Sequence, residues 1–154
     1  MSATLTLLAI AGYGLSAVAY LGLAILIVAS GRRRPQGRLL VLAIALTALW
    51  GVASALTAAG GLEPRLALAA EVVRNGAWLG LLLYILKLRL PPGARLPQPL
   101  QLIRILAVLL AGALLAATVY PLFAPDQAYV AQWALNLGLV LLALIGLVLV
   151  EQLY

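Results

Sequence analysis

The sequence contains no cysteine and no histidine. These absences exclude disulfides, thiol chemistry, His-ligated metal or haem, and His-dependent acid–base catalysis. Charge is scarce as well: charged side chains make up 9% of the chain against 66% hydrophobic ones, where an ordinary soluble domain carries roughly a quarter charged residues. No soluble fold of this size can hide that much apolar surface. There is also no segment of alternating polarity, so a membrane β-barrel is excluded, because its strands must alternate between lipid and lumen. No nucleophile–base set or carboxylate pair is visible, which argues against catalysis within these residues and leaves the catalytic assignment empty. No cofactor or metal site is expected.

What is present is five long apolar stretches rich in Leu, Ala and Gly. About 20 residues of helix cross a hydrocarbon core of roughly 30 Å. The predicted fold class is therefore all-α, a polytopic bundle of five spans at about 5–30, 39–62, 66–86, 102–123 and 129–150 in a single transmembrane domain over 1–154. Positive charge follows the first stretch, as Gly31-Arg32-Arg33-Arg34-Pro35-Gln36-Gly37-Arg38, whereas a cleaved secretory signal carries it before a shorter apolar core. The four prolines between Pro91 and Pro99 stop the third helix.

The distribution of Lys and Arg tests this division into spans, because a wrong number of spans scatters the positive residues over both faces. With the N-terminus outside, Arg32, Arg33, Arg34, Arg38, Lys87, Arg89, Arg95 and Arg104 all fall on the cytoplasmic side, in contact with lipid headgroups, and only Arg65 falls outside. Glu63 and Asp126 join Arg65, and Tyr120, Phe123, Tyr129 and Trp133 fall where an outer aromatic belt sits. The expected topology is N-out and C-in. The net charge of +6 flanks spans rather than a soluble face, so the partner it implies is the bilayer and not nucleic acid.

Within the third span, Glu71, Arg74, Asn75 and Trp78 recur at i, i+3, i+4 and i+7 and so share one helix face. Counting from Leu66, Arg74 lies on the order of 12 Å below the outer boundary. Gln132 and Asn136 in the fifth span fall at a comparable depth, so the six residues form one candidate intramembrane polar cluster. An ionised Glu or Arg at a helix centre costs roughly 2.5–3.5 kcal/mol on insertion scales, so the two are expected to pair and face inward. Two roles are open for the pair: a structural ion pair that packs the bundle, and a ligand- or signal-sensing site. Asn136 taken alone reads as interhelical glue. Gly76/Gly80, Gly12/Ser16 and Gly51/Ala55 are small-x-x-x-small pairs, expected to pack helices within the chain, and Trp50 and Trp78 are expected to fill the bundle core.

Four segments carry a resemblance: Gly12-Tyr13-Gly14-Leu15-Ser16-Ala17-Val18-Ala19-Tyr20, Leu46-Thr47-Ala48-Leu49-Trp50, Glu71-Val72-Val73-Arg74-Asn75-Gly76-Ala77-Trp78-Leu79 and Val148-Leu149-Val150-Glu151-Gln152-Leu153-Tyr154. Together they resemble the N-terminal membrane region of the sensor histidine kinase associated with PEP-CTERM/exosortase systems. The resemblance implies further spans after Tyr154, then a GAF-like module and a histidine kinase core; neither a phosphoacceptor His nor an ATP-binding core lies within the chain. It further implies a sensory or anchoring region in a bacterial inner membrane, homodimeric through the parent kinase, acting on a response regulator and linked to exopolysaccharide production and protein sorting. A fragment of a multi-pass transporter or of an exopolysaccharide- or lipid-handling protein is the competing expectation, and a purely structural anchor a third. A transporter calls for a broken helix or a water-filled path, and one Glu with no second carboxylate is a poor ion-coupling site.

Overall fold

A computed structural model describes residues 3–30, 35–91, 97–120 and 128–153. Within them the chain forms α1 (Ala3–Ala29), α2 (Pro35–Ala58), α3 (Pro64–Leu88), α4 (Gln98–Val119) and α5 (Ala128–Glu151), and no strand. All five helices are long and apolar enough to cross a membrane. The helical state follows from the solvent: hydrocarbon offers no partner to a backbone N–H or C=O, and a helix satisfies nearly all of them internally. Large apolar side chains such as Leu15, Val18, Leu102 and Leu109 point outward and are exposed, an arrangement suited to lipid and not to water.

The helix ends are set by proline and glycine rather than by hydropathy, and this moves two spans. α2 begins at Pro35 and ends at Ala58, earlier at both ends than the expected 39–62. Proline suits the first helical position because its missing N–H has no intrahelical acceptor there anyway. At the other end Gly60 adopts φ +76°, the Gly60 N–H donates to the Thr57 carbonyl at 3.0 Å and the Gly61 N–H to the Leu56 carbonyl at 2.9 Å. This is a Schellman closure, which terminates α2 before Gly61 and Leu62.

Likewise α3 starts at Pro64, and α4 starts directly after Pro97, with Pro99 in its first turn and the Gln101 N–H donating to the Pro97 carbonyl at 3.0 Å. The proline run that stops α3 therefore also launches α4, at 98 rather than at the expected 102. The Tyr120 N–H donates to the Ala116 carbonyl at the C-cap of α4, and the remainder of the expected span, to Phe123, lies outside the described residues. Phe123 and Asp126 lie outside the described residues, as do Arg32, Arg33, Arg34 and Arg95.

The chain divides into two compact units, Met1–Arg74 and Asn75–Tyr154, with the boundary inside α3. In the first unit α1 packs on α2. The crossing is closest at Gly51, where an added Cβ would lie 3.1 Å from Ala17 Cβ and 3.1 Å from the Tyr13 carbonyl oxygen. The core of this unit is small and apolar, with Ala17, Ala24, Ala43, Ile44, Ala48 and Val72 buried.

In the second unit α4 packs on α5, with Leu100, Ala107, Leu114, Ala131, Leu135, Leu142 and Leu149 buried. Here Gly138 receives Leu114, whose side chain a Cβ at this position would meet. Glycine is thus a contact point at Gly51 and Gly138. Gly12, Gly76 and Gly80, also expected to pack, differ: a Cβ at any of them meets nothing within 4 Å. The small-x-x-x-small spacing permits close approach without requiring it.

Candidate functional site

The polar stripe of α3 forms as a helix of this register demands, and Glu71, Arg74, Asn75 and Trp78 are all partly buried. In the first unit Arg74 Nη2 lies 3.7 Å from Glu71 Oε1, with side chains 19% and 29% exposed. That separation exceeds the 2.7–2.9 Å of a charge-assisted hydrogen bond, so the attraction is Coulombic. In hydrocarbon such attraction falls off slowly, because little solvent screens it.

The guanidinium has a second neighbour. Arg74 Cζ stands 3.9 Å from the centroid of the Trp50 ring on α2, a cation–π contact, and the Trp50 ring meets Tyr13 on α1 edge to face, with centroids 5.6 Å apart and planes at 85°. Three helices meet here because their registers agree. At 1.5 Å per residue, Tyr13 lies about 15 Å from the Ala3 end of α1, Trp50 about 12 Å from the Ala58 end of α2 and Arg74 about 15 Å from the Pro64 end of α3. Side chains lean toward a helix N-terminus, so Arg74 reaches back along α3 over Glu71.

Trp50 belongs to a stripe of its own. Thr47, Trp50, Ser54 and Thr57 recur at helical spacing on α2, with Thr47 and Ser54 buried. Thr47 Oγ1 donates to the Ala43 carbonyl at 2.8 Å, a local bond that hides the hydroxyl from apolar surroundings. The Thr57 hydroxyl is buried with no partner among the described residues. A polar lining on α2 thus accompanies the one on α3.

Sequence reasoning assigned Trp50 to core filling and gave Tyr13 no role. Instead Trp50 is half-buried and forms the platform for the cation. The available signal was the spacing of Thr47, Trp50, Ser54 and Thr57 together with the equal depths of Trp50 and Arg74 in consecutive helices.

The other expected members fall in the second unit. Gln132 Nε2 donates to Asn136 Oδ1 at 3.2 Å, one turn along α5, and both side chains are exposed. The bond runs within α5, so each amide lowers the other's cost in lipid, a different use from the interhelical glue expected of Asn136. Asn75 and Trp78 continue the α3 stripe into this unit. Among the described residues no group of His, Cys, Asp or Glu side chains forms a metal-binding set.

At the helix ends, Arg65 pairs with Glu63 at 3.2 Å, Arg38 and Arg104 are exposed in the early turns of α2 and α4, and Lys87 and Arg89 close α3. Arg89 Nη1 donates to the Leu153 carbonyl beyond the end of α5.

Five apolar helices with a charged and aromatic cluster inside the span define an α-helical multi-pass membrane protein. The chain matches no known protein family, no curated protein and no solved structure.

Proposed function

We propose that the chain is the membrane-embedded sensory and anchoring region of a two-component sensor histidine kinase in a bacterial inner membrane. It has its N-terminus out and C-terminus in, and is linked to exopolysaccharide production and PEP-CTERM protein sorting. Kinase core, homodimer contacts and response-regulator docking belong to the parent protein. The observation that carries this reading is the Tyr13–Trp50–Arg74–Glu71 cluster, a charged site built from three helices where bare packing would use Leu. A cue that binds one arrangement of these side chains better than another shifts helix packing by its differential affinity.

The orientation is supported by the positive-inside pattern of the connections, since Arg38, Lys87, Arg89 and Arg104 flank the connections assigned to the cytoplasm, while Arg65 in the connection assigned to the outside is offset by Glu63. The test is to replace Glu71 and Arg74, singly and together, in the parent protein and to follow autophosphorylation. Altered signalling with normal membrane insertion is expected; an unchanged response eliminates the site.

A second reading, a lipid-handling fragment, is favoured by a groove of about 250 Å³ between α4 and α5 whose lining, including Ile103, Leu106, Leu144 and Val148, is wholly apolar. Native mass spectrometry that finds a lipid retained by wild type and lost on Leu144→Trp supports that reading.

A further inference from the structure

One hydroxyl of the α2 stripe behaves unlike three others in the chain. Ser30, Thr47 and Thr118 each donate to a backbone carbonyl three or four residues back, at 2.8, 2.8 and 2.7 Å, the usual way for a helical hydroxyl to hide its polarity from apolar surroundings. Thr57 Oγ1 makes no such bond and is buried without a partner among the described residues. A buried hydroxyl costs free energy until something bonds to it, and water is the common partner where protein supplies none.

The polar groups of the first unit descend in a series from that hydroxyl. At 1.5 Å per residue, Thr57 lies about 1.5 Å, Ser54 about 6 Å and Trp50 about 12 Å from the Ala58 end of α2, while Glu71 lies about 10 Å and Arg74 about 15 Å from the Pro64 end of α3. No step in depth from one group to the next exceeds about 4.5 Å, and a water bonded on both sides at about 2.8 Å bridges such a step. The helix face that carries Glu71 and Arg74 is continued one turn earlier by Ala67 and Ala70, both partly buried. Between the levels of Thr57 and Glu71 this face of α3 therefore carries only methyl groups, which leave room beside the α2 stripe. The Glu71 and Arg74 side chains lean toward the N-terminal end of α3, and so toward the same connection. At 3.7 Å from Arg74 Nη2, the Glu71 carboxylate keeps room for the several hydrogen bonds it can accept.

We propose that the faces of α2 and α3 joined through Trp50 and Arg74 border a hydrated crevice, open at the α2–α3 connection, in which water partners the Thr57 hydroxyl and reaches the Glu71–Arg74 pair. Local hydration of this kind is one of the means by which an intramembrane Arg becomes tolerable. The crevice admits a water-borne cue to the cluster from the side of that connection. Its role as an entry route rests on the sensory reading above, whereas the hydration rests on the geometry of the first unit alone.

Water-edited solid-state nuclear magnetic resonance of isotope-labelled protein, in bilayers of phosphatidylethanolamine and phosphatidylglycerol, tests this with the site unaltered. Magnetisation from water is expected to reach Thr57, Ser54 and the Arg74 guanidinium several-fold faster than it reaches Val52 and Leu56, which stand at comparable depths on α2 with their side chains exposed to lipid. Ala67→Leu, which fills the crevice above the pair, is expected to abolish that advantage at Arg74. Transfer to Thr57 and Arg74 as slow as transfer to Val52 and Leu56 in the wild type overturns the proposal, and so does transfer to Arg74 that Ala67→Leu leaves unchanged.

Autophosphorylation of the parent protein separates the two ideas. Fast transfer to Arg74, with signalling indifferent to substitution of Glu71 and Arg74, supports the crevice and removes the sensory reading. Slow transfer with signalling altered by those substitutions removes the crevice and keeps the reading.

Discussion

Gly51 and Gly76 are identical in sequence terms, each a mid-helix glycine in a small-x-x-x-small pair, and the structure gives them opposite responses to a single methyl group. At Gly51 the added Cβ of Gly51→Ala would sit 3.1 Å from Ala17 Cβ, 3.1 Å from the Tyr13 carbonyl oxygen and 3.2 Å from the Ala17 amide nitrogen. Two of these three atoms are backbone, so no rotamer change relieves the contact and α1 itself must move. Overpacking of this kind costs about 1–3 kcal/mol. At Gly76 the new methyl group meets nothing within 4 Å.

Both substitutions gain helix propensity of roughly 0.8–1 kcal/mol, so that contribution cancels in the comparison. Gly51→Ala is therefore expected to be less stable than Gly76→Ala by about 1–3 kcal/mol. Gly76→Ala itself is expected at or slightly above wild-type stability. Equilibrium unfolding in mixed detergent micelles, followed by far-UV circular dichroism, measures the difference. In a Trp78→Phe/Trp133→Phe background the emission of Trp50 should also change on Gly51→Ala, since moving α1 withdraws the Tyr13 ring. Equal stability of the two variants would refute the assignment of Gly51 as the α1–α2 contact.

Removing Glu71 takes the carboxylate away from Arg74, so Glu71→Leu is expected to destabilise by at most about 2.5–3.5 kcal/mol, the insertion penalty of an Arg at a helix centre. The double variant Glu71→Leu/Arg74→Leu should recover much of that loss; a double-mutant cycle with no coupling energy refutes the pairing. Trp50→Leu removes the platform under the guanidinium and is expected to cost about 0.5–2 kcal/mol more in the wild-type background than in Arg74→Leu. Gly60→Ala forces a Cβ into the left-handed conformation at φ +76°, with an expected loss of about 1–2 kcal/mol in the same unfolding assay.

Much of the fold was legible because its causes are local. Length and hydropathy identify a segment that can cross hydrocarbon, and the backbone requirement then makes it a helix. Boundaries were less legible where a helix extends past its apolar stretch. Pro35 starts α2 inside the charged connection, and the Schellman closure at Gly60 ends it before the hydropathy does. The Glu71–Arg74 pair was readable for the same local reason, being two turn-adjacent side chains of one helix. The partners of that pair on other helices were not.

The sequence by itself determined that this is a helical membrane protein with five apolar helices, and that α3 carries a charged stripe in mid-span. It did so because insertion energetics and helical periodicity depend only on neighbouring residues. Only the tertiary structure decided that Trp50 and Tyr13 close around Arg74, that Gly51 and Gly138 are contact points while Gly76 and Gly80 are not, and that Arg89 reaches Leu153. Those outcomes depend on where one helix crosses another, and many crossings are compatible with the same apolar surfaces. The choice among them rests on close packing between residues far apart in the chain.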